Sequence, residues 1–452
     1  MKDNLASLLR SKNNSLQKLT GLILLLVLNL PACLPAADNT SSAQTQPYTF
    51  YLDTRTENNL EHKLIPLDPQ TLDEQPDGKT FETGIQIISA DGSTGIDVEY
   101  PMGRAGQNPE DRWIVVYDLQ NGNEQNRFHS PARGLVSGLS KDGTRLLLQA
   151  DADPYTLSPY PPTIDWSVVV TADGELLTHI KDADNACFRQ RAFLDPDGQR
   201  IYCMVDPALI ETDEPVPLRV AAYDIESGQK AGELELPEVF IGSLMSEQNG
   251  QAVEEFFEPA LALSPDGRQL AVVHTNADMI TLINAHDLTI EKTFSLNRST
   301  NLEDWFGFAP ATAYAKGNMQ GIIHHAVFNT DGEYLYVFTQ EVWLKQEDKP
   351  ARRGIRLVDL DQGQIVAKAL PDYQIQWVQP APDGTLYVFG TTDERLLPYE
   401  IRDTSPSILW RLDAFTLEIL AERAFAGYRH GYLVIGAVAA TSLTPEPTSI
   451  DL

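Results

Sequence analysis

One short turn dominates this sequence. Asp-Gly recurs at Asp91-Gly92, Asp142-Gly143, Asp197-Gly198, Asp266-Gly267, Asp331-Gly332 and Asp383-Gly384, at spacings of 51, 55, 69, 65 and 52 residues. Each pair sits between two apolar runs, as in Leu261-Ala-Leu-Ser-Pro-Asp-Gly-Arg-Gln-Leu-Ala-Val-Val-His274. Glycine accepts positive φ without steric cost, so Asp-Gly between such runs predicts a tight hairpin. A second strand pair follows each hairpin, with third strands ending in Asp118, Asp224, Asp359 and Asp413 and, in equivalent places, Thr171 and Asn284. Short turns come next, such as Asp224-Ile-Glu-Ser-Gly228, and then a fourth strand, such as Gly232-Glu-Leu-Glu-Leu236.

Four short strands every fifty or so residues, with both turns recurring, predict an all-β fold, a β-propeller. Partial units stand at both ends. Thr49–Leu52, Leu64–Asp68 and Lys79–Phe81 supply three strands, and Gly431–Ala437 supplies a lone apolar one. Pairing the last strand with the first unit would close the ring and leave no open sheet edge. The expectation is therefore seven four-stranded blades over residues 49–440, with six or eight as the neighbouring counts if one end is misread.

The Ser-Pro-Asp-Gly-x-x-Leu-x-Val pattern, followed by Ile-x-x-Ile-Asn or its Asp equivalent, resembles the YVTN-type and quinoprotein amine dehydrogenase-like propellers. These are similar in fold to WD40 propellers, but the Gly-His and Trp-Asp signatures of the WD group are missing. The resemblance covers nearly the whole body and implies the fold. It implies little about function, since such propellers include docking subunits, surface proteins and enzymes.

Composition narrows the class. Apolar residues make up 42% and charged residues 22%, which excludes a wholly disordered chain. A formal charge of -30 argues against a nucleic-acid partner, because phosphate recognition needs clustered Lys and Arg. The N-terminus differs from the rest. Lys2, Arg10, Lys12 and Lys18 face one acid, Asp3, and Leu19–Leu30 is an almost unbroken apolar run. Basic-then-apolar is a secretory signal pattern, too short for a comfortable spanning helix. Leu30-Pro31-Ala32-Cys33 resembles the lipobox of bacterial lipoproteins, which implies lipidation of Cys33 and an extracytoplasmic, membrane-anchored chain in the cell envelope. A plain signal peptide giving a secreted or periplasmic soluble protein, and an uncleaved anchor, are the alternatives. Residues 1–32 are then the signal, 33–48 a flexible tether and 441–452 a disordered tail. Cys187 and Cys203 remain, flanking the Asp197-Gly198 turn about three residues out of step. A disulfide and two buried free thiols stay equally open.

The turns within hairpins are uniformly short, whereas the other connections are long: 100–112, 151–164, 206–218, 341–354 and 391–407 between second and third strands, and 239–255 and 299–321 between blades. Long connections on one face of a rigid scaffold mark the binding side. They carry Tyr155, Tyr160, Trp305, Phe306, Phe308, Trp343 and Tyr399. Aromatic anchors suit protein and glycan surfaces, although any one of them also serves to pin its own loop. At the channel end of the innermost strands stand Arg189, Arg191, Glu258, His324, His325 and Trp377, with Glu254 and Glu255 nearby. Ionisable groups converging in a cleft form a default site, and a structural ion pair from Arg189 or Arg191 to Glu258 is the plainer reading.

The sequence contains none of the patterns His-Glu-x-x-His, Cys-x-x-Cys, Gly-x-Ser-x-Gly or Gly-x-x-x-x-Gly-Lys-Ser/Thr. No metal site and no cofactor is therefore predicted, and the catalytic residues are unknown. His324 and His325 are adjacent on a strand and point to opposite sides, so both would not ligate one ion. Acidic loops such as Asp151-Ala-Asp153 and Asp359-Leu-Asp361 have donors for weak Ca2+ binding, though a solvated acidic surface explains them as well. The resulting expectation is a binding or scaffold module, rather than an enzyme, holding a protein or glycan partner of the envelope on the long-loop face. The alternative is a propeller enzyme at the channel, a lactonase-like hydrolase or an amine dehydrogenase-like oxidoreductase component.

Overall fold

The computed structural model describes residues 49–55, 62–75, 85–90, 92–99, 112–119, 122–131, 134–150, 165–181, 187–205, 216–248, 251–274, 279–296, 319–343, 354–391, 407–425 and 433–436. All regular structure among them is β-strand. The first two strands, β1 (Thr49–Arg55) and β2 (His62–Leu67), form an antiparallel pair. Blade I follows with β3 (Ile85–Ile88), β4 (Thr94–Glu99), β5 (Trp113–Asp118) and β6 (Asn123–His129). Blade II contains β7 (Gly134–Leu139), β8 (Arg145–Ala150), β9 (Asp165–Val170) and β10 (Leu176–Lys181). Blade III contains β11 (Cys187–Leu194), β12 (Arg200–Val205), β13 (Val216–Asp224) and the long β14 (Lys230–Gln248).

An additional strand, β15 (Gln251–Glu258), precedes blade IV, which contains β16 (Ala260–Leu263), β17 (Gln269–Val273), β18 (Met279–Asn284) and β19 (Thr289–Ser295). Blade V contains β20 (Met319–Phe328), β21 (Tyr334–Trp343), β22 (Ile355–Asp359) and β23 (Gln364–Ala369). Blade VI contains β24 (Gln374–Pro380), β25 (Thr385–Thr391), β26 (Ser407–Asp413) and β27 (Ile419–Phe425), and β28 (Leu433–Gly436) ends the described chain.

Six sets of strands pair consecutively as four-stranded antiparallel blades. This corrects the expected seven. The remaining sheet has three strands in the order β2-β1-β28, with Thr49–Leu52 opposite Leu433–Gly436. Lys79–Phe81, expected as its fourth strand, lies outside the described residues. The pairing of β28 with β1 joins the two ends of the chain and covers one edge of β1.

The blades lock together through a repeated device. Each third-to-fourth turn is a five-residue loop whose last residue donates its N–H to the carbonyl four residues back. Examples are Gly228 to Asp224 at 2.9 Å and Leu417 to Asp413 at 3.0 Å. The preceding blade hooks onto this turn. Asn126 Nδ2 of blade I donates to the Thr171 carbonyl of blade II at 3.0 Å, and Arg200 Nη1 of blade III to the His286 carbonyl of blade IV at 2.7 Å. Lys292 Nζ of blade IV donates to the Leu360 carbonyl of blade V at 3.0 Å, and Tyr336 Oη of blade V to the Ala414 carbonyl of blade VI at 2.9 Å. Blade VI reaches the three-stranded sheet twice: Tyr387 Oη donates to Pro69 O at 2.9 Å and Arg423 Nη1 to Leu72 O at 2.6 Å. Blades II and III meet through the first turn instead, where Arg145 Nη1 donates to Gly198 O at 2.7 Å. Each bond gives a turn carbonyl a fixed partner in the neighbouring blade.

The core lies between blades rather than at one centre. The middle strands are apolar on both faces; Leu146, Leu147, Leu148, Leu386, Tyr387 and Val388 are fully buried. One cluster joins Trp166 and Val168 of blade II to Ile201, Cys203 and Tyr223 of blade III. Another joins Phe50 and Leu67 to Tyr387 and Leu409, where Phe50 and Tyr387 stack at 4.2 Å. A strand buried on both sides must be apolar throughout, so the middle strands read as continuous apolar runs and the outer ones alternate.

Candidate binding face

The two ends of the blades differ in construction. At one end the Asp-Gly turns are closed by their own side chains. Ser264 Oγ donates to Asp266 Oδ1 at 2.7 Å, the Arg268 N–H donates to the same oxygen at 3.1 Å, and the Gln269 N–H donates to Ser264 Oγ at 2.9 Å. Ser140, Asp142 and Arg145 repeat the arrangement in blade II. Asp359, proposed above as a weak Ca2+ donor, uses Oδ1 to accept the Gln362 N–H at 2.7 Å and so serves its turn. Asp151 and Asp153 lie outside the described residues.

The opposite end carries the long connections. The inter-blade link 239–255, expected as a loop, is a strand hairpin. The β14 strand runs past its blade, and Gly242–Gln248 pairs antiparallel with Gln251–Phe257 of β15. The β15 strand pairs in parallel with the start of β20, Glu254–Glu258 beside Met319–Ile323. The β20 strand pairs in turn with β21 up to Gln320 opposite Trp343. Blades III and V thereby join in one nine-stranded sheet. Asn249-Gly250 carried the sequence signal for this hairpin, since it is the preferred two-residue turn between strands.

The structure brings some predicted residues together and leaves others apart. Glu258, 7% exposed, lies opposite Ile323, one residue before His324 and two before His325. His324 is buried and its Nδ1 hydrogen-bonds with Thr339 Oγ1 at 3.0 Å. His325 stacks on Phe338 at 4.9 Å. The two imidazoles thus have different partners, as strand alternation requires. Trp377 packs against the cluster of Phe50, Tyr387 and Leu409, which gives it a core role between blade VI and the three-stranded sheet. Arg189 and Arg191 lie on β11 within a bulge, and Glu254 and Glu255 on β15. Trp343 ends β21. Tyr155, Tyr160, Trp305, Phe306, Phe308 and Tyr399 lie outside the described residues, as does Cys33.

His274 was not singled out from sequence. It follows β17 at the same end of blade IV, is buried, and its Nε2 hydrogen-bonds with Thr281 Oγ1 at 2.8 Å. Thr281 Oγ1 lies 3.1 Å from Thr293 Oγ1, so the three form a chain across the blade. Burial depresses the His274 pKa to about 4, which keeps the ring neutral at physiological pH. Related cross-strand polar pairs occur in other blades: Ser167 Oγ with His179 Nδ1 at 3.0 Å, and Trp410 Nε1 donating to Glu422 Oε2 at 2.9 Å. Among the described residues no group of three His, Cys, Asp or Glu side chains is arranged to hold a metal ion.

No family model and no curated protein sequence matches the chain. Similar solved structures include hydrazine synthase of Kuenenia stuttgartiensis, at 15% identity and TM-score 0.35, covering 61% of this chain and 61% of that one. The dihydro-heme d1 dehydrogenase NirN in complex with DHE is similar at 14% identity and TM-score 0.42, covering 87% of this chain and 66% of that one. The β-propeller domain of Cps50 (Swd1) from Myceliophteria thermophila is similar at 13% identity and TM-score 0.42, covering 78% and 88%. The chain therefore spans less than two thirds of the length of the first two. The propeller assignment rests on the chain's own consecutive four-stranded blades.

Proposed function

We propose that this propeller is a binding or scaffold module which holds a protein or glycan partner on its long-loop face. One observation carries the reading. The β14–β15 hairpin adds strands at the end where the long connections lie and links blades III and V there, while the other end is closed by short self-capped turns. An enlarged strand platform on a rigid ring presents side chains at low entropic cost, as preformed binding surfaces do. Trp343, the last residue of β21, and the aromatics that the sequence places in the long connections are residue types found as anchors at interface centres.

The address belongs to the same proposal. Residues 1–32 act as an export signal and Cys33 carries a lipid that tethers the chain through 33–48 to the envelope. Metabolic labelling with an alkyne fatty acid should mark the parent chain and leave Cys33→Ala unmarked; equal labelling would sink the anchor.

The binding reading is tested with the full chain on a glycan array and in cross-linking on source membranes. A Trp305→Ala/Trp343→Ala/Tyr399→Ala variant runs alongside. Loss of a specific partner in the variant, with an unchanged melting temperature, supports the module. Retention of every partner overturns it. The enzyme alternative rests on Glu258, His324 and His325 at the channel end, and it requires turnover of a lactone, ester or amine that falls in His325→Ala.

A further inference from the structure

The inner strand of blade III is irregular at one place. Leu194, Phe193 and Ala192 of β11 pair in step with Ile201, Tyr202 and Cys203 of β12. The next pair is Cys187 with Val205. Four residues, Phe188-Arg189-Gln190-Arg191, therefore stand against Met204 alone. A bulge of this size removes ladder hydrogen bonds from an inner strand and leaves the strand free to slip unless something fixes its register. The bulge also corrects the three-residue mismatch counted from sequence. It brings Cys187 to the second register position from Cys203, so both half-positions lie on one face of the sheet.

Cys203 is disulfide-bonded and fully buried, among Trp166, Ala192, Val205 and Ala221. The chain holds three cysteines; Cys33 lies outside the described residues, and Cys187 is the other cysteine within them. We propose that Cys187 is the partner of Cys203, and that this cross-link clamps the Phe188–Arg191 bulge and so fixes the register of β11 against β12. Forming the bond joins the two sulfurs and removes one hydrogen from each thiol. The two electrons and two protons pass to a disulfide-bearing oxidant by thiol–disulfide exchange, leaving it as a dithiol. Such oxidants act outside the cytoplasm, which agrees with the export signal proposed above. The clamp itself does not depend on the binding reading.

The test uses the full chain. Trypsin digestion of unfolded, non-reduced protein, with free thiols first blocked, should yield Asp182–Arg189 linked to Ile201–Arg219. Limited trypsin digestion of the native protein then reads the bulge directly, because cleavage follows Arg189 and Arg191. In Cys187→Ala and in Cys203→Ala these two cleavages should be faster by about tenfold or more, while cleavage after Lys292 in blade IV keeps its rate. Recovery of Cys187 as a blocked thiol, or linked to Cys33, overturns the proposal. So does bulge cleavage that is unchanged in Cys187→Ala, or that rises only in proportion to cleavage after Lys292.

Discussion

At the residue scale, one backbone position decides how neighbouring blades fit. The last residue of each third-to-fourth turn is left-handed. Gly174 has φ 78° and Gly363 φ 67°, whereas Leu72, Leu288 and Leu417 have φ 65°, 54° and 57°. A non-glycine residue there costs about 1–2 kcal/mol. Burying a leucine side chain returns roughly 1.5–3 kcal/mol, and all three leucines are buried in inter-blade clusters, so leucine is tolerated. Where glycine stands, the neighbouring blade fills the space: a Cβ on Gly174 would lie 2.5 Å from Phe128 Cγ. A Cβ on Gly232 would lie 3.2 Å from Leu288 Cδ1, the reverse arrangement. We expect Leu288→Gly to destabilise by about 1–3 kcal/mol, since the cavity outweighs the relieved backbone. Gly174→Ala should cost more than about 2 kcal/mol because strain and clash add. Gly384 has φ 76° and nothing within 4 Å of its Cβ position, so Gly384→Ala should cost only about 1 kcal/mol. Urea midpoints at constant slope measure all three, and equal costs for the two alanines would refute the packing argument. His274 gives a pH effect. Its folded pKa of about 4 lies below the ordinary 6.5, so the unfolded chain binds the proton first. Stability is complete above pH 6.5 and falls towards pH 4, by about 3 kcal/mol at most. His274→Gln should flatten that slope in urea titrations across the same window.

At the element scale, the Asp-Gly hairpins were legible because their information is local. The aspartate accepts main-chain and hydroxyl hydrogen bonds within the turn, and glycine takes the positive φ. Partial burial pushes the Asp266 carboxyl up, but bonds from Ser264 and Arg268 outweigh it and hold the pKa below the ordinary value. Its contribution is therefore present above the carboxylate range and lost as pH falls through the lowered value. Asp266→Ala should lower stability by about 1 kcal/mol at pH 7, with the difference from the parent shrinking at acid pH. A constant difference across pH would place the effect elsewhere. The β14–β15 hairpin was less legible. The Asn249-Gly250 pair was present in the sequence, but the strands lie outside the repeat, and the parallel partner of β15 is some sixty residues further along the chain. The β11 bulge was illegible for a related reason: a register shift depends on what β12 presents, and single-strand alternation does not show it.

At the scale of the whole molecule, the ring depends on its closing sheet. The β28 strand covers the edge of β1, while Tyr387 and Arg423 tie blade VI to the turn after β2. A chain ending at residue 430 loses β28 and leaves Thr49–Leu52 without that partner. An uncovered edge recruits other chains. The truncated chain should show faster hydrogen exchange at Phe50–Leu52 and a larger mass by light scattering. Parent-like exchange and mass would mean that the inter-blade bonds alone hold the ring.

Sequence alone determined the all-β repeat, its two turn types and the apolar middle strands, because each is settled by residues within one hairpin. The contents of the candidate face were settled only in three dimensions. Trp377 became a core side chain because blade VI packs on the three-stranded sheet, and His324 turned to Thr339 because strand pairing put them side by side. The six four-stranded blades are built from consecutive strands, and the pairing of β28 with β1, expected from the partial units at the two ends, joins strands nearly four hundred residues apart. Local propensity carries no information about which side chains meet across neighbouring sheets; packing of whole blades decides that.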